Sequence, residues 1–261
     1  MSGNERSKYV AVIPCLNEAR TIAGLVGAVT LELRTDKEQV GAATLAPDRA
    51  SPYVIVVDDG STDTTGKLAA EAGARVLAHS YVRGKGAALA TGLQEARRLG
   101  FEKAFVLDGD GQHAPADIQA FLKCAHETGV QLIVGNRMLQ AEGMPWVRRM
   151  VNRWMSRRLS KLAGRPLPDS QCGFRLIDLE TWSALAISAE HFEIESEMLL
   201  AFIAAGARVE FVPIQVIYKS EQSKIHPWRD TWRWFRWLRR WRSHCPSRQP
   251  PEASRTRPQP S

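Results

Sequence analysis

Short apolar runs alternating with helical stretches constrain this chain more than any other feature. Tyr9–Pro14, Tyr53–Val57, Arg75–Ala78, Ala104–Leu107 and Leu132–Val134 read as strands. Between them, helices are expected from about Thr21 to Leu33, Asp63 to Ala72, Lys85 to Leu99 and Ala116 to Glu127, the second capped by Ser61 or Thr62. This alternation predicts an α/β fold, a mostly parallel central sheet flanked by helices. Residues 34–52 are polar and rich in turn formers, and read as a loop. After Asn136 the pattern changes to a basic helix over Pro145–Leu162, a loop and strand over Pro166–Ile177, a helix over Glu193–Ala205 and a strand over Arg208–Tyr218.

The chain has 261 residues, enough for one large α/β domain or two small ones. The expected division is a folded domain over 1–223, a Trp/Arg-rich amphipathic helix over 224–244 and a disordered tail over 245–261. Cys15, Cys124, Cys172 and Cys245 lie far apart, without the paired spacing of a zinc site, and are expected to be reduced thiols. The first residues lack the apolar core of a signal peptide, and no window reaches the roughly 18 apolar residues of a spanning helix. The expectation is a cytoplasmic protein, soluble or peripheral on the inner face of the plasma membrane. The net charge of +7 is uneven: residues 224–261 hold ten Lys or Arg against two acids. The excess belongs to the tail, which argues for a local anionic partner over a globally basic nucleic-acid binder.

Three acidic clusters follow strands: Glu18, Asp58-Asp59, and Asp108 with Asp110. Each alone also fits an ordinary cap or Asp-Gly turn. Together they would share one rim of the sheet, beyond the carboxyl ends of the strands, where ligands bind in open α/β sheets. Two carboxylates one residue apart can share a hard divalent cation with the oxygens of a diphosphate. Arg83-Gly84-Lys85-Gly86 opens a helix, where glycines permit close backbone approach and the helix start favours anions. The P-loop spacing is absent, and no GxGxxG follows the first strand, so ATPase and dehydrogenase readings fall.

Four motifs stand in order: Val12-Ile13-Pro14-Cys15-Leu16-Asn17-Glu18, Val57-Asp58-Asp59-Gly60-Ser61-Thr62-Asp63, Gly84-Lys85-Gly86 and Asp108-Gly109-Asp110-Gly111-Gln112-His113. Together they resemble family 2 glycosyltransferases of the GT-A fold, in particular the polyprenyl-phosphate glycosyltransferases, dolichol-phosphate mannosyltransferases among them. The resemblance covers about residues 8–228. It implies a nucleotide-sugar donor (UDP- or GDP-linked), with Pro14, Asn17, Glu18 and Asp58 lining the nucleoside pocket and Asp59 in the same acidic pair. It implies Mg²⁺ or Mn²⁺ on Asp108 and Asp110, with Gln112 as a further ligand and Lys85 near the nucleotide.

The same resemblance implies a polyprenyl-phosphate acceptor held by Arg137 and Arg148, with Ser223-Lys224 closing over the diphosphate. Asp110, Arg137, Arg148 and Lys224 are thus the expected catalytic set, and inversion at the anomeric carbon is the family expectation. Residues 147–165 carry seven Arg or Lys and no acid, which favours anion binding over a merely solvated helix face. Asp169-Ser170-Gln171-Cys172-Gly173-Phe174-Arg175 and Phe192-Glu193-Ile194-Glu195-Ser196-Glu197 are similar to two further family segments. Glu197 is expected to hold loop arginines; the alternative for all three acids is favourable placement at the helix dipole, which suits Glu193 and Glu195 at least as well as a family role. In Trp228–Arg242, aromatics and arginines fall on opposed sides of a helical wheel. That is the pattern of a helix lying in an anionic membrane interface, or of one docked by its aromatic side. The rival readings are a family 2 transferase with a different saccharide or lipid acceptor, a nucleic-acid-binding module on the Arg/Trp helix, and a degenerate transferase. The second leaves the strand-end carboxylates unexplained, so no nucleic acid is expected.

Overall fold

The computed structural model describes residues 8–34, 53–141, 143–217 and 227–244. The chain divides into two compact units, Met1–Gln222 and Ser223–Ser261. In the first, strands β1 (Tyr9–Cys15), β2 (Val54–Asp58), β3 (Arg75–Ala78), β4 (Lys103–Val106), β5 (Leu132–Asn136), β6 (Arg175–Asp178) and β7 (Val209–Pro213) form one sheet in the order β3-β2-β1-β4-β6-β5-β7. All neighbours run parallel except β6, which is antiparallel to both β4 and β5. The expected fold class holds.

β1 is buried along its whole length and β2 along all but its last residue. Such continuously apolar strands need cover on both sides. Helices α1 (Ile22–Arg34), α2 (Thr65–Glu71) and α4 (Ile118–Thr128) pack together on one face. Helix α3 (Lys85–Arg98) lies on the other against β1, β2 and β4, with α6 (Leu179–Ser183) beside it. Helix α5 (Trp146–Ala163) follows β5 and packs with α7 (Ile194–Ala204). α5 turns a buried face of Asn152, Ser156 and Leu159 inward. Cys15, Cys124 and Cys172 are free thiols.

Two expectations are corrected. The last strand stops at Pro213 instead of reaching Tyr218. Proline lacks the N–H needed to extend the ladder. The chain beyond it turns onto the loop after β4, where Val216 bridges His113 and Ile217 N–H donates to Gln112 O at 2.9 Å. Helix α2 starts two residues late, for a reason given by its loop below. The loop over 34–52 lies almost wholly outside the described residues.

In the second unit, α8 (Pro227–His244) forms as one helix. Trp237 stacks against both Trp234 and Trp241, with ring centroids 6.3 and 5.8 Å apart. No helix among the described residues is long and apolar enough to cross a membrane.

Helix α3 approaches the sheet through Gly92, where an added Cβ would come within 2.3 Å of Val12 Cγ1. Gly92→Ala is therefore expected to lower the unfolding free energy by about 1–3 kcal/mol through overpacking, despite the roughly 1 kcal/mol that alanine gains in helix propensity. Urea unfolding monitored by circular dichroism checks this.

Candidate active site

The chain leaves β1 towards β2 on one side, while β4 lies on the other. That divergence is a topological switch point, and the crevice beyond it is the default ligand site of such sheets. Three loops frame it, after β1, β2 and β4. The first two are laced together through short polar side chains. Asn17 takes a left-handed φ of 54°. Its N–H donates to Ser61 Oγ at 2.9 Å, and its Oδ1 accepts from Thr62 N–H at 2.9 Å. Glu18 N–H donates to Thr65 Oγ1 at 2.8 Å, and Ser61 N–H to Asp58 Oδ1 at 2.9 Å. Ser61 and Thr62, expected to cap α2, are thus engaged by Asn17. Asp63 Oδ1 accepts from Thr65 N–H instead, at 2.9 Å, and α2 begins at Thr65. Pro14 is buried at the end of β1 beside Val57.

Asp59 faces away from Asp58, into the start of α3. Its carboxylate accepts from Arg83 N–H at 2.9 Å and Gly84 N–H at 2.7 Å, and lies 2.7 Å from His79 Nδ1. The α3 start is not an open anion cradle, contrary to expectation. Gly86 N–H donates to Glu190 O at 2.7 Å. A Cβ on Gly86 would fall 2.0 Å from Ala189 O, and one on Gly84 2.3 Å from His191 Nδ1. These glycines admit the chain's own 189–191 segment.

Lys85, the first residue of α3, projects into the crevice. Its Nζ lies 2.5 Å from Asp108 Oδ1 and 2.5 Å from Glu195 Oε1. The other Asp108 oxygen lies 3.4 Å from His113 Nε2. Burial opposes the charge on Asp108, but Lys85 and His113 outweigh it and hold the carboxyl far below its usual range. Burial likewise opposes the charge on Lys85, and its two carboxylates overcome it, raising the ammonium above its ordinary value. Asp110 moves the other way. Burial and the Asp108 charge raise it, although it accepts from Gln112 N–H at 3.0 Å. Two neighbouring carboxyls driven apart in this way mark a functional site. Gln112 is half-buried on the same turn.

The loop before β6 supports Asp108 from behind. Arg175 is almost fully buried, and its guanidinium donates to Cys172 O at 2.9 Å and Ser170 O at 3.3 Å. This folds the loop so that Gly173 faces Asp108; a Cβ there would sit 2.7 Å from Asp108 Oδ2. Phe174 stacks on Phe121 at 4.5 Å and holds the His113 ring at 5.3 Å.

The residues expected to hold an acceptor phosphate are placed differently from expectation. Arg137 is buried and forks Asp169 through Nε at 2.7 Å and Nη2 at 2.9 Å; its own N–H also donates to Asp169, at 3.1 Å. Asn152 from α5 donates to the same carboxylate at 2.9 Å. Arg137 is thereby a structural counter-ion, and a strand-end position that faces inward is the reason. Arg148 sits half-buried in the first turn of α5. Lys224 lies outside the described residues. Among the described residues Glu197 meets no arginine: it accepts from Ser188 N–H at 3.1 Å and Ala189 N–H at 2.7 Å. Glu195, for which a helix-dipole role stood open beside a family role, pairs with Lys85. Sequence reasoning passed over Glu195, Gly173 and Asp169, each in a segment it had singled out, because which side chain turns inward depends on packing.

Burial opposes the charge on Asp169, but Arg137 and Asn152 hold its carboxyl below the usual range. A depressed carboxyl stabilises the fold above its unfolded pKa of about 4 and loses that contribution as pH falls through the folded value. Asp169→Ala is expected to cost about 3–5 kcal/mol at neutral pH by stranding Arg137. It also removes part of the acid-limb decline below about pH 4, measurable as thermal unfolding against pH.

A family model described as glycosyl transferase family 2 matches residues 10–181. The UDP-N-acetylglucosamine–dolichyl-phosphate N-acetylglucosaminyltransferase of Methanococcus voltae is 30% identical over 187 residues, 63% of this chain and 74% of that protein. Polyprenol monophosphomannose synthase of Mycolicibacterium smegmatis is 27% identical over 193 residues, 70% of this chain and 66% of that one. Glucosyl-3-phosphoglycerate synthase from Mycobacterium tuberculosis, solved with Mn²⁺, UDP and phosphoglyceric acid, shares the fold with a TM-score of 0.61 at 19% identity, over 88% of this chain and 75% of that one. The family match runs from β1 through β6, across every loop that frames the crevice, and the chain belongs to glycosyltransferase family 2 as one of its enzymes.

Proposed function

We propose that this glycosyltransferase moves a sugar from a UDP- or GDP-linked donor onto a polyprenyl phosphate at an anionic membrane surface. The observation that carries the reading is the Asp108/Asp110 pair at the switch point of a sheet whose next strand end, β5, leads into the acid-free basic helix α5. Dolichyl phosphate and polyprenol monophosphomannose in the names of the two relatives support the acceptor class.

On this reading Pro14, Asn17, Glu18 and Asp58 line the nucleoside pocket. Asp59 acts one step back, fixing the turn that delivers Lys85. Asp108 and Asp110, with Gln112, would hold Mg²⁺ or Mn²⁺. Among the described residues no three His, Cys, Asp or Glu side chains form a metal cage. Two carboxylates nevertheless suit Mg²⁺, which completes its shell with waters and substrate phosphates. A cation bound there supplies charge neutralisation to the departing diphosphate. Lys224 would close on the same group. A lipid phosphate is already anionic near neutral pH, so it needs positioning more than deprotonation. Arg148 suits that role, since guanidinium matches phosphate geometry, while Arg137 holds the strand end through Asp169.

Helix α5 also offers a surface for the membrane. Its first turns expose Trp146, Val147, Met150 and Val151. Its last turns expose Arg153, Arg157, Arg158 and Lys161. Apolar bulk beside unopposed cations suits an anionic interface. The Trp/Arg pattern of α8 supports the same placement, peripheral on the inner face of the plasma membrane, with 1–223 as the catalytic domain, 224–244 as the amphipathic helix and 245–261 as a tail.

The test is transfer from a panel of radiolabelled UDP- and GDP-sugars with Mn²⁺, with and without polyprenyl phosphate in detergent. Label is expected in the organic phase only with the lipid phosphate, and chelation with EDTA abolishes it. Asp110→Ala lowers the rate by about a hundredfold or more, since a cation on the leaving group is worth several kcal/mol. Donor consumed with its label left aqueous while lipid is present would turn the reading to a different saccharide or lipid acceptor.

A further inference from the structure

We infer that Glu195 is a positioning residue for metal entry, receiving the Lys85 ammonium when a divalent cation takes Asp108. The inference rests on the metal reading above and goes beyond it by assigning a counter-ion exchange to two residues that need not touch the metal.

The geometry is that of a carboxylate already occupied. Asp108 Oδ1 meets Lys85 Nζ at 2.5 Å, and Oδ2 faces His113 Nε2 at 3.4 Å. Lys85 therefore serves as the resident cation of the site, neutralising a carboxylate that Asp110 would otherwise crowd. A divalent ion arriving on Asp108 meets that ammonium at close range, in surroundings where water and salt screen little. The ammonium has to yield, and its backbone cannot move with it. The turn before it hangs on Asp59, and the helix turn after it on Glu190 O. Only the four-carbon stem can swing.

Glu195 is the one other carboxylate already in contact with Nζ, at 2.5 Å, among the ion pairs of the described residues. It stands in the first turn of α7, its side chain 7% exposed. Arg175 and Glu195 line the same small cavity, and the Phe192 ring covers Lys85, its centroid 5.9 Å from Nζ. When the ammonium leaves Asp108 it thus keeps a full partner without crossing solvent. Without Glu195 the metal would bind against an ammonium that is largely enclosed and has lost its partner, a costly state. Lys85 and Glu195 together make Asp108 tolerable before metal binds and available afterwards.

The experiment is Mn²⁺ titration of the full chain by electron paramagnetic resonance at fixed neutral pH, without nucleotide and again with UDP. Lys85→Met is expected to tighten Mn²⁺ by about tenfold, and Glu195→Gln to weaken it by about three- to tenfold. In the double variant the effect of Glu195→Gln should shrink below about twofold, because Glu195 acts through Lys85. An equal Glu195→Gln effect in both backgrounds overturns the inference, since a plain field effect would not need the lysine. Thermal unfolding controls for folding. If Lys85→Met does not fold, Glu195→Gln alone decides, and unchanged or tighter Mn²⁺ overturns the inference. Failure of the unaltered protein to bind Mn²⁺ even with UDP overturns the metal reading and this inference together. Normal binding that neither variant alters overturns this inference alone.

Discussion

A single, largely enclosed ammonium ties together the three parts of the chain on which the site depends. Lys85 begins α3, Asp108 follows β4 and Glu195 stands in the first turn of α7, and Lys85 meets both carboxylates within hydrogen-bonding distance. Buried charges are costly to desolvate, and their mutual attraction compensates only when the geometry is held closely. Much of the surrounding structure can be understood as that holding. Asp59 fixes the turn before Lys85, and Glu197 fixes the Ser188–Ala189 backbone that leads into the segment packed on Gly84 and Gly86. Gly173 gives Asp108 the room it needs.

The β1 and β2 loops are braced against each other before any ligand arrives. Asn17, Ser61, Asp63 and Thr65 each accept from a backbone N–H across the β1 and β2 loops, and Asp63 also braces its own turn. Each bond contributes about 1 kcal/mol at most, yet together they fix the relative position of two strand ends. A site built in this way loses little conformational freedom on binding, which is where preorganised sites gain affinity. The strained φ at Asn17 belongs to the same design, since it aims both the N–H and the side chain at the neighbouring loop.

The sheet was legible because its information is local. Continuous apolar runs such as Val54–Val57 can only be buried strands, and their alternation with helices leaves few topologies. The strand-end acids were legible for the same reason: a residue just past a buried strand must lie on the rim. What stayed hidden is direction. Asp58 and Asp59 are adjacent, but one braces its own turn and the other caps the α3 loop. Gly84 and Gly86 read as a phosphate cradle because glycine signals close approach without saying what approaches. The segment that does so lies a hundred residues away, and only the folded chain brings it there.

The two arginines expected to hold an acceptor phosphate show how far such reasoning carries. Arg137 follows β5 directly, so its side chain inherits the strand's inward orientation and needs a buried partner, which Asp169 supplies. Arg148 lies a turn into a helix whose outer face bears no acid. A cation becomes available to a ligand only where the fold provides no counter-ion of its own. Asp169 satisfies one arginine so that the loop bearing Gly173 is anchored, and the missing acids of α5 leave its field uncompensated. The distribution of carboxylates, more than that of arginines, therefore decides which basic residues can meet a phosphate.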